Sequence, residues 1–208
     1  MRGLLIVTVV VIAVAALGCA GSDDEASQGR TARLDPARLR ELELTYEIPA
    51  LVREACAGAR RQATVRVVCP PLIPDVPLTN SPGLWGSVGF SDEPRFYMLS
   101  FNNGGLPGGK RHWIVGGGKA GVVEKWVLTD FTNAVKGDPV LVRTTTARGR
   151  RVSIYRFPPH PAGGPNGGHW AAFIQVGDEI VFASPQERRY VEAAVEMALA
   201  LAQELEAA

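Results

Sequence analysis

HWAAFIQVGDEIVFASPQE, residues 169–187, is the stretch whose reading decides the fold. Two apolar runs rich in aromatic and β-branched residues, HWAAFIQV and EIVFAS, flank Gly177-Asp178. A two-residue Gly-Asp step between such runs is a β-hairpin signal. Ser184-Pro185-Gln186-Glu187 then reads as a helix start, with Ser as cap, Pro at the first helical position and Glu closing a capping box. Behind it Val191, Ala194, Val195, Ala198, Leu199, Ala202 and Leu205 make one apolar stripe at helical spacing. A hairpin followed by an amphipathic helix predicts a sheet with a helix laid over it. The alternative use of the stripe is a partner helix, but the sheet itself needs a cover.

Working outward, the same texture extends upstream. LWGSVGF, RFYMLSF, HWIVGG, VVEKWVLT, VLVRTTT and RVSIYRF are short β-rich runs separated by Gly, Asn, Asp and Pro. Ala147 to Arg150 is a second, looser hairpin candidate. Before them the pattern is helical. Asp35-Pro36 opens a helix, and Leu39, Leu42 and Tyr46 recur at its spacing. After Pro49 a second helical face carries Leu51, Val52, Ala55, Cys56 and Ala59. Thr64 to Val68 is β-branched and reads as a strand. The prolines of CPPLIPDVPLTNSPG forbid helix and central strand, which leaves an extended arm with Leu72, Ile73, Val76 and Leu78 as anchors. Helices, then many strands, then a helix give an α+β fold: an antiparallel β-sheet covered by N-terminal helices and a long C-terminal helix.

Charge excludes some functions. Lys and Arg number 22 against 21 Asp and Glu, for a formal net charge of +1, and no block of like charge suggests a nucleic-acid surface. RTTTARGRR, residues 143–151, is the most basic patch and reads as a solvated hairpin tip, the alternative being a site for anionic lipid or wall polymer.

The N-terminus indicates where the protein works. Arg2 is followed by an apolar run from Leu4 to Leu17 that is short for a bilayer span, then by small residues leading to Cys19. That is the form of an export signal, with a retained transmembrane anchor as the alternative. Ala16-Leu17-Gly18-Cys19 resembles the lipobox of bacterial lipoproteins. The resemblance implies cleavage before Cys19, diacylglyceryl on its sulfur, and a cell-membrane location on the extracytoplasmic face. Two acyl chains suffice for stable anchoring. Residues 1–18 are then the signal peptide. Residues 19–34 are polar and free of aromatics, a flexible tether with an end-to-end distance on the order of 20 Å. Residues 35–208 are one α+β domain. Its layout also resembles that of the Mog1/PsbP-like lipoproteins, a likeness of arrangement that no motif fixes and that implies no particular activity.

In an exported chain with Cys19 lipidated, Cys56 and Cys69 remain, and a disulfide between them is the expectation. It closes a loop of about 14 residues, worth roughly 3 kcal/mol in the chain-entropy model. A buried thiol pair or a metal site are the alternatives, and no His lies near either cysteine in sequence.

Two motifs bear on chemistry. GGLPGGKRHW, residues 104–113, has most of the spacing of a phosphate-binding loop in Gly104, Gly109 and Lys110. Arg111 stands where Ser or Thr would hold magnesium, and a strand-like run follows instead of a helix, so no nucleotide is expected. The second motif is a repeated His-Trp pair, His112-Trp113 and His169-Trp170, each at a strand start beside a glycine-rich loop. Alternation puts His and Trp on opposite sheet faces. With both Trp residues in the core, His112 and His169 share the other face, and His160 is a third candidate for a metal site or proton transfer. Trp85 joins these residues as a candidate for lining a ligand groove between sheet and helix. No nucleophile elbow is present. The sequence favours a non-enzymatic binding module for a protein partner or an apolar ligand, without cofactor. The alternatives are an envelope hydrolase or metal-dependent enzyme using His112, His160 or His169, and a structural adaptor of the envelope.

Overall fold

The computed structural model describes residues 33–75, 96–102, 112–125, 139–157 and 169–207. Cys19, Val76, Leu78, Trp85 and His160 lie outside them.

Asp35 caps the first helix, α1 (Pro36–Leu42), by accepting from the N–H groups of Ala37 and Arg38, each at 2.9 Å. The helix stops one turn earlier than the Leu39-Leu42-Tyr46 spacing predicts. Glu43 takes a left-handed conformation, φ 53°, and its N–H bonds to the carbonyl of Arg40. Leu44–Thr45 (β1) can then pair with Ile73–Pro74 (β2) in a short antiparallel ladder. This ladder fixes the proline-rich arm, and Leu72 and Ile73 are buried as its anchors.

Helix α2 (Ala50–Gln62) follows Pro49 and buries Val52, Cys56 and Ala59 along one face. Cys56 forms a disulfide with Cys69, their Cα atoms 5.8 Å apart. The bridge ties the helix to an extended segment and not to the expected strand, because Thr64–Val68 joins no ladder. Val67 and Val68 are nevertheless buried. The backbone of Val68 is satisfied by one side chain: its N–H donates to the Tyr97 hydroxyl at 3.2 Å, and that hydroxyl donates to its carbonyl at 3.0 Å. The Arg66 guanidinium adds a 2.8 Å ion pair with Glu179.

Six strands form one antiparallel sheet: β3 (Phe96–Asn102), β4 (His112–Lys119), β5 (Val140–Ala147), β6 (Arg150–Arg156), β7 (Trp170–Val176) and β8 (Glu179–Pro185). Their spatial order is β3-β4-β8-β7-β6-β5. Gly177-Asp178 turns β7 into β8, with Gly177 at φ 60°. Arg148-Gly149 turns β5 into β6 with both residues at positive φ, 48° and 73°, as a two-residue hairpin matched to strand twist requires.

VVEKWVLT was expected to add a further strand; Trp126 to Thr129 lie outside the described residues, and only Val122 to Lys125 can be compared. Ala120–Lys125 instead forms a short helix, α3. The β4 ladder ends at Lys119, opposite Glu179, where the β7–β8 hairpin also ends. An extended continuation would run past its pairing partner. The N–H of Ala120 bonds instead to the carbonyl of Asp178, and the helix buries Val123 against the sheet.

The sheet is apolar on both faces, which explains why β8 is buried along its whole length. One face carries Leu99, Val115, Ile154, Ala172, Val181 and Ala183. Helix α4 (Val191–Ala207) packs on it through Ala194, Ala198, Leu201, Ala202 and Leu205, and its alanines bring it close to β7 and β8. The opposite face is aromatic. Phe173 and Phe182 stack with centroids 5.3 Å apart, and Tyr155 meets Phe173 edge-on.

The start of α4 differs from the sequence expectation. Ser184 and Pro185 still belong to β8, and the Ser184 hydroxyl donates to the carbonyl of Trp170 at 2.8 Å. A 3₁₀ turn, Arg188–Tyr190, leads into α4, and Glu187 at its cap position makes no side-chain capping bond. Pro185 pairs opposite Trp113 in the ladder, so the strand holds the residues that a capping box would need.

Glycine decides the approach of β3 to β4. A Cβ at Gly116 would stand 2.4 Å from the Tyr97 carbonyl oxygen and 2.8 Å from the Phe182 ring. Gly116→Ala is expected to cost about 1–3 kcal/mol through overpacking, measured by urea unfolding.

Candidate functional site at one end of the sheet

Topology brings the two His-Trp pairs together. β4 and β7 both run antiparallel to β8, so both begin at the end where β8 finishes. Trp113 pairs with Pro185, and Trp170 lies two positions beyond the Ala172–Ala183 pair, beside the same proline. His112 and His169 therefore occupy one row across the sheet, two strand spacings or about 10 Å apart. His112 pairs with Asn102 of β3, and the carbonyl of His169 accepts from the N–H of Phe157 at 2.7 Å.

The Trp residues take the face that alternation predicts. Trp113 shares it with Val115, and Trp170 shares it with Ala172, beneath α4. They differ in accessibility. Trp113 is only 2% exposed and packs against Tyr190, with ring centroids 5.5 Å apart. It serves the core. Trp170 is half-buried, and the Arg188 guanidinium lies 5.7 Å from its ring centroid. The Tyr190 hydroxyl donates to Glu43 at 3.1 Å and ties this end of the sheet to the α1 terminus.

No group of three or more His, Cys, Asp or Glu side chains is arranged to hold a metal among the described residues. No helix among them is long and apolar enough to cross a membrane.

The basic stretch 143–151 has a definite structural use. Arg143 pairs with Glu192, Arg148 with Glu196 at 2.5 Å, and Arg150 makes a two-bonded pair with Glu206. Three arginines of the β5–β6 hairpin thus grip one side of α4. Hydrogen bonding to Arg150 holds the Glu206 carboxyl below its ordinary range. Exposed pairs of this kind contribute little individually.

Sequence reasoning did not find the Tyr97 clamp. Burial pushes the Tyr97 phenol up, so the hydroxyl stays protonated and able to donate. Tyr97→Phe leaves the buried N–H and C=O of Val68 without this partner and is expected to cost about 1–3 kcal/mol. Comparing urea unfolding of the variant with that of the parent chain checks this, and faster amide exchange around Val68 should accompany the loss. No signal in the strand run RFYMLSF marks Tyr97 for this task, because its partner lies 29 residues away in a segment outside any ladder. Nor did the sequence expose the Arg188–Trp170 stack.

The chain matches no family model, no curated protein and no solved structure.

Proposed function

We propose that the chain is an exported lipoprotein, held to the extracytoplasmic face of the cell membrane through lipid on Cys19. Its α+β domain works there as a non-enzymatic module that binds a protein partner or an apolar ligand. The observation that carries this reading is the Cys56–Cys69 bridge, taken with the apolar leader and the lipobox-like Ala16-Leu17-Gly18-Cys19. Disulfides form and persist in oxidising compartments, and an export signal delivers a chain to one. The half-buried Trp170, with a guanidinium over its ring, supports a binding role.

Feeding labelled palmitate to cells that express the chain tests the anchor. Label is expected on the parent chain and absent from Cys19→Ala, with the parent in the membrane fraction. Equal labelling of both, or a parent chain in the cytosol, contradicts the proposal.

A second reading, a metal-dependent or hydrolytic enzyme, draws on the single sheet row that His112 and His169 share. Metal analysis of the purified chain and of the His112→Ala, His160→Ala and His169→Ala variants tests it. Stoichiometric metal that these substitutions remove would favour the enzyme over the binding module.

A further inference from the structure

The edge strand β5 leaves an apolar stretch open. Val140, Leu141 and Val142 are 50%, 49% and 47% exposed. Consecutive strand residues point to opposite faces, so among the described residues neither layer covers this end of the edge. A bulge between Leu141 and Arg143 interrupts the ladder here. Bulges at sheet edges twist a strand away from pairing with another strand, which argues against a β-strand of a second chain as occupant.

Two arginines lie along one row beside the stretch. Arg156 is the ladder partner of Val140, and Trp170 is the next partner in that row, with Arg188 over its ring. Arg156 and Arg188 are exposed and form no ion pair among the described residues. Two further arginines near this end are paired. Arg143 pairs with Glu192, and Arg189 with Glu187. Apolar residues beside two exposed guanidiniums without carboxylate partners among the described residues complement an anionic lipid surface, where the chain's apolar groups enter the interface and the arginines meet phosphate.

We propose that Val140, Leu141 and Val142, with Arg156 and Arg188, form a docking surface for anionic phospholipid that seats the domain on the membrane holding its anchor. This rests on the reading of Cys19 as the lipid-bearing residue. At roughly fivefold per guanidinium near an anionic surface, the two arginines together favour docking by roughly 25-fold.

The test uses the full anchored chain in vesicles of phosphatidylcholine with and without phosphatidylglycerol, read by amide hydrogen exchange. Exchange across residues 140–143 is expected to slow only with phosphatidylglycerol, and Arg156→Gln/Arg188→Gln should abolish the difference. Val140→Ser/Leu141→Ser/Val142→Ser, at exposed positions, should abolish it as well. A lipidated chain that exchanges equally in both vesicles overturns the docking surface and leaves the anchor standing. Protection that follows chain density in either vesicle identifies a second copy as the occupant and also overturns it. An intact mass from the same sample that lacks lipid on Cys19 defeats the anchor reading, and the docking proposal falls with it.

Discussion

Trp113→Ala is expected to destabilise the domain by about 3–5 kcal/mol, the range for removing a fully buried large aromatic. The indole is 2% exposed and packs on Tyr190 at the junction of β4, the end of β8 and the entry to α4. Its removal opens a cavity where three elements meet, and the close-packed surroundings can relax only in part. The thermal midpoint should fall on the order of 10 °C for a domain of this size. Trp170→Ala provides the contrast. That ring is half-buried at the same end of the sheet, and its loss should cost on the order of 1 kcal/mol. Circular dichroism during urea unfolding of the two variants measures both. Equal and small losses would remove Trp113 from the core and return it to the set of ligand-facing residues.

The second large effect belongs to the disulfide. Cys56→Ala/Cys69→Ala should lower stability by roughly 3 kcal/mol, the entropy of a closed loop of this length. The double substitution avoids leaving a lone thiol, and alanine suits the buried Cys56 position better than a hydroxyl would. The same loss should follow reduction of the parent chain before unfolding. The effect should concentrate at the α2 end, where the bridge holds Val67 and Val68 against the Tyr97 hydroxyl. Amide exchange at Val68 should therefore rise further than exchange in α4. A double variant as stable as the parent would mean that the bridge adds nothing beyond the packing around it.

Much of the fold was legible because local chemistry and tertiary structure agree. Asp35-Pro36 caps α1, Gly177-Asp178 turns the central hairpin, and the alanine-rich stripe of α4 covers the sheet. The failures occur where a partner decides. Thr64–Val68 has the composition of a strand, but Tyr97 supplies the bonds that a neighbouring strand would have given. VVEK is β-branched and yet helical, because the ladder ends at Lys119. Ser184-Pro185 carries a helix-start signature that β8 uses for pairing instead. In each case propensity described the segment alone, and long-range pairing overrode it.

The candidate site was legible in outline. Two His-Trp pairs at strand starts could be read from alternation, and both Trp residues take the expected face. What alternation cannot supply is strand order. The convergence of the pairs depends on β8 lying between β4 and β7, which is a property of topology. The uncovered edge at Val140–Val142 was hidden for a similar reason. VLVRTTT looks like any half-buried strand, and only its place at the end of the order leaves it open.

Intact mass spectrometry of the mature chain extracted from membranes tests the central claim most directly. A chain that begins at Cys19, carries a diacylglyceryl group there, and gains the mass of two hydrogens on reduction is the expected result. A chain that still begins at Met1, without lipid and with Cys56 and Cys69 as free thiols, would contradict it.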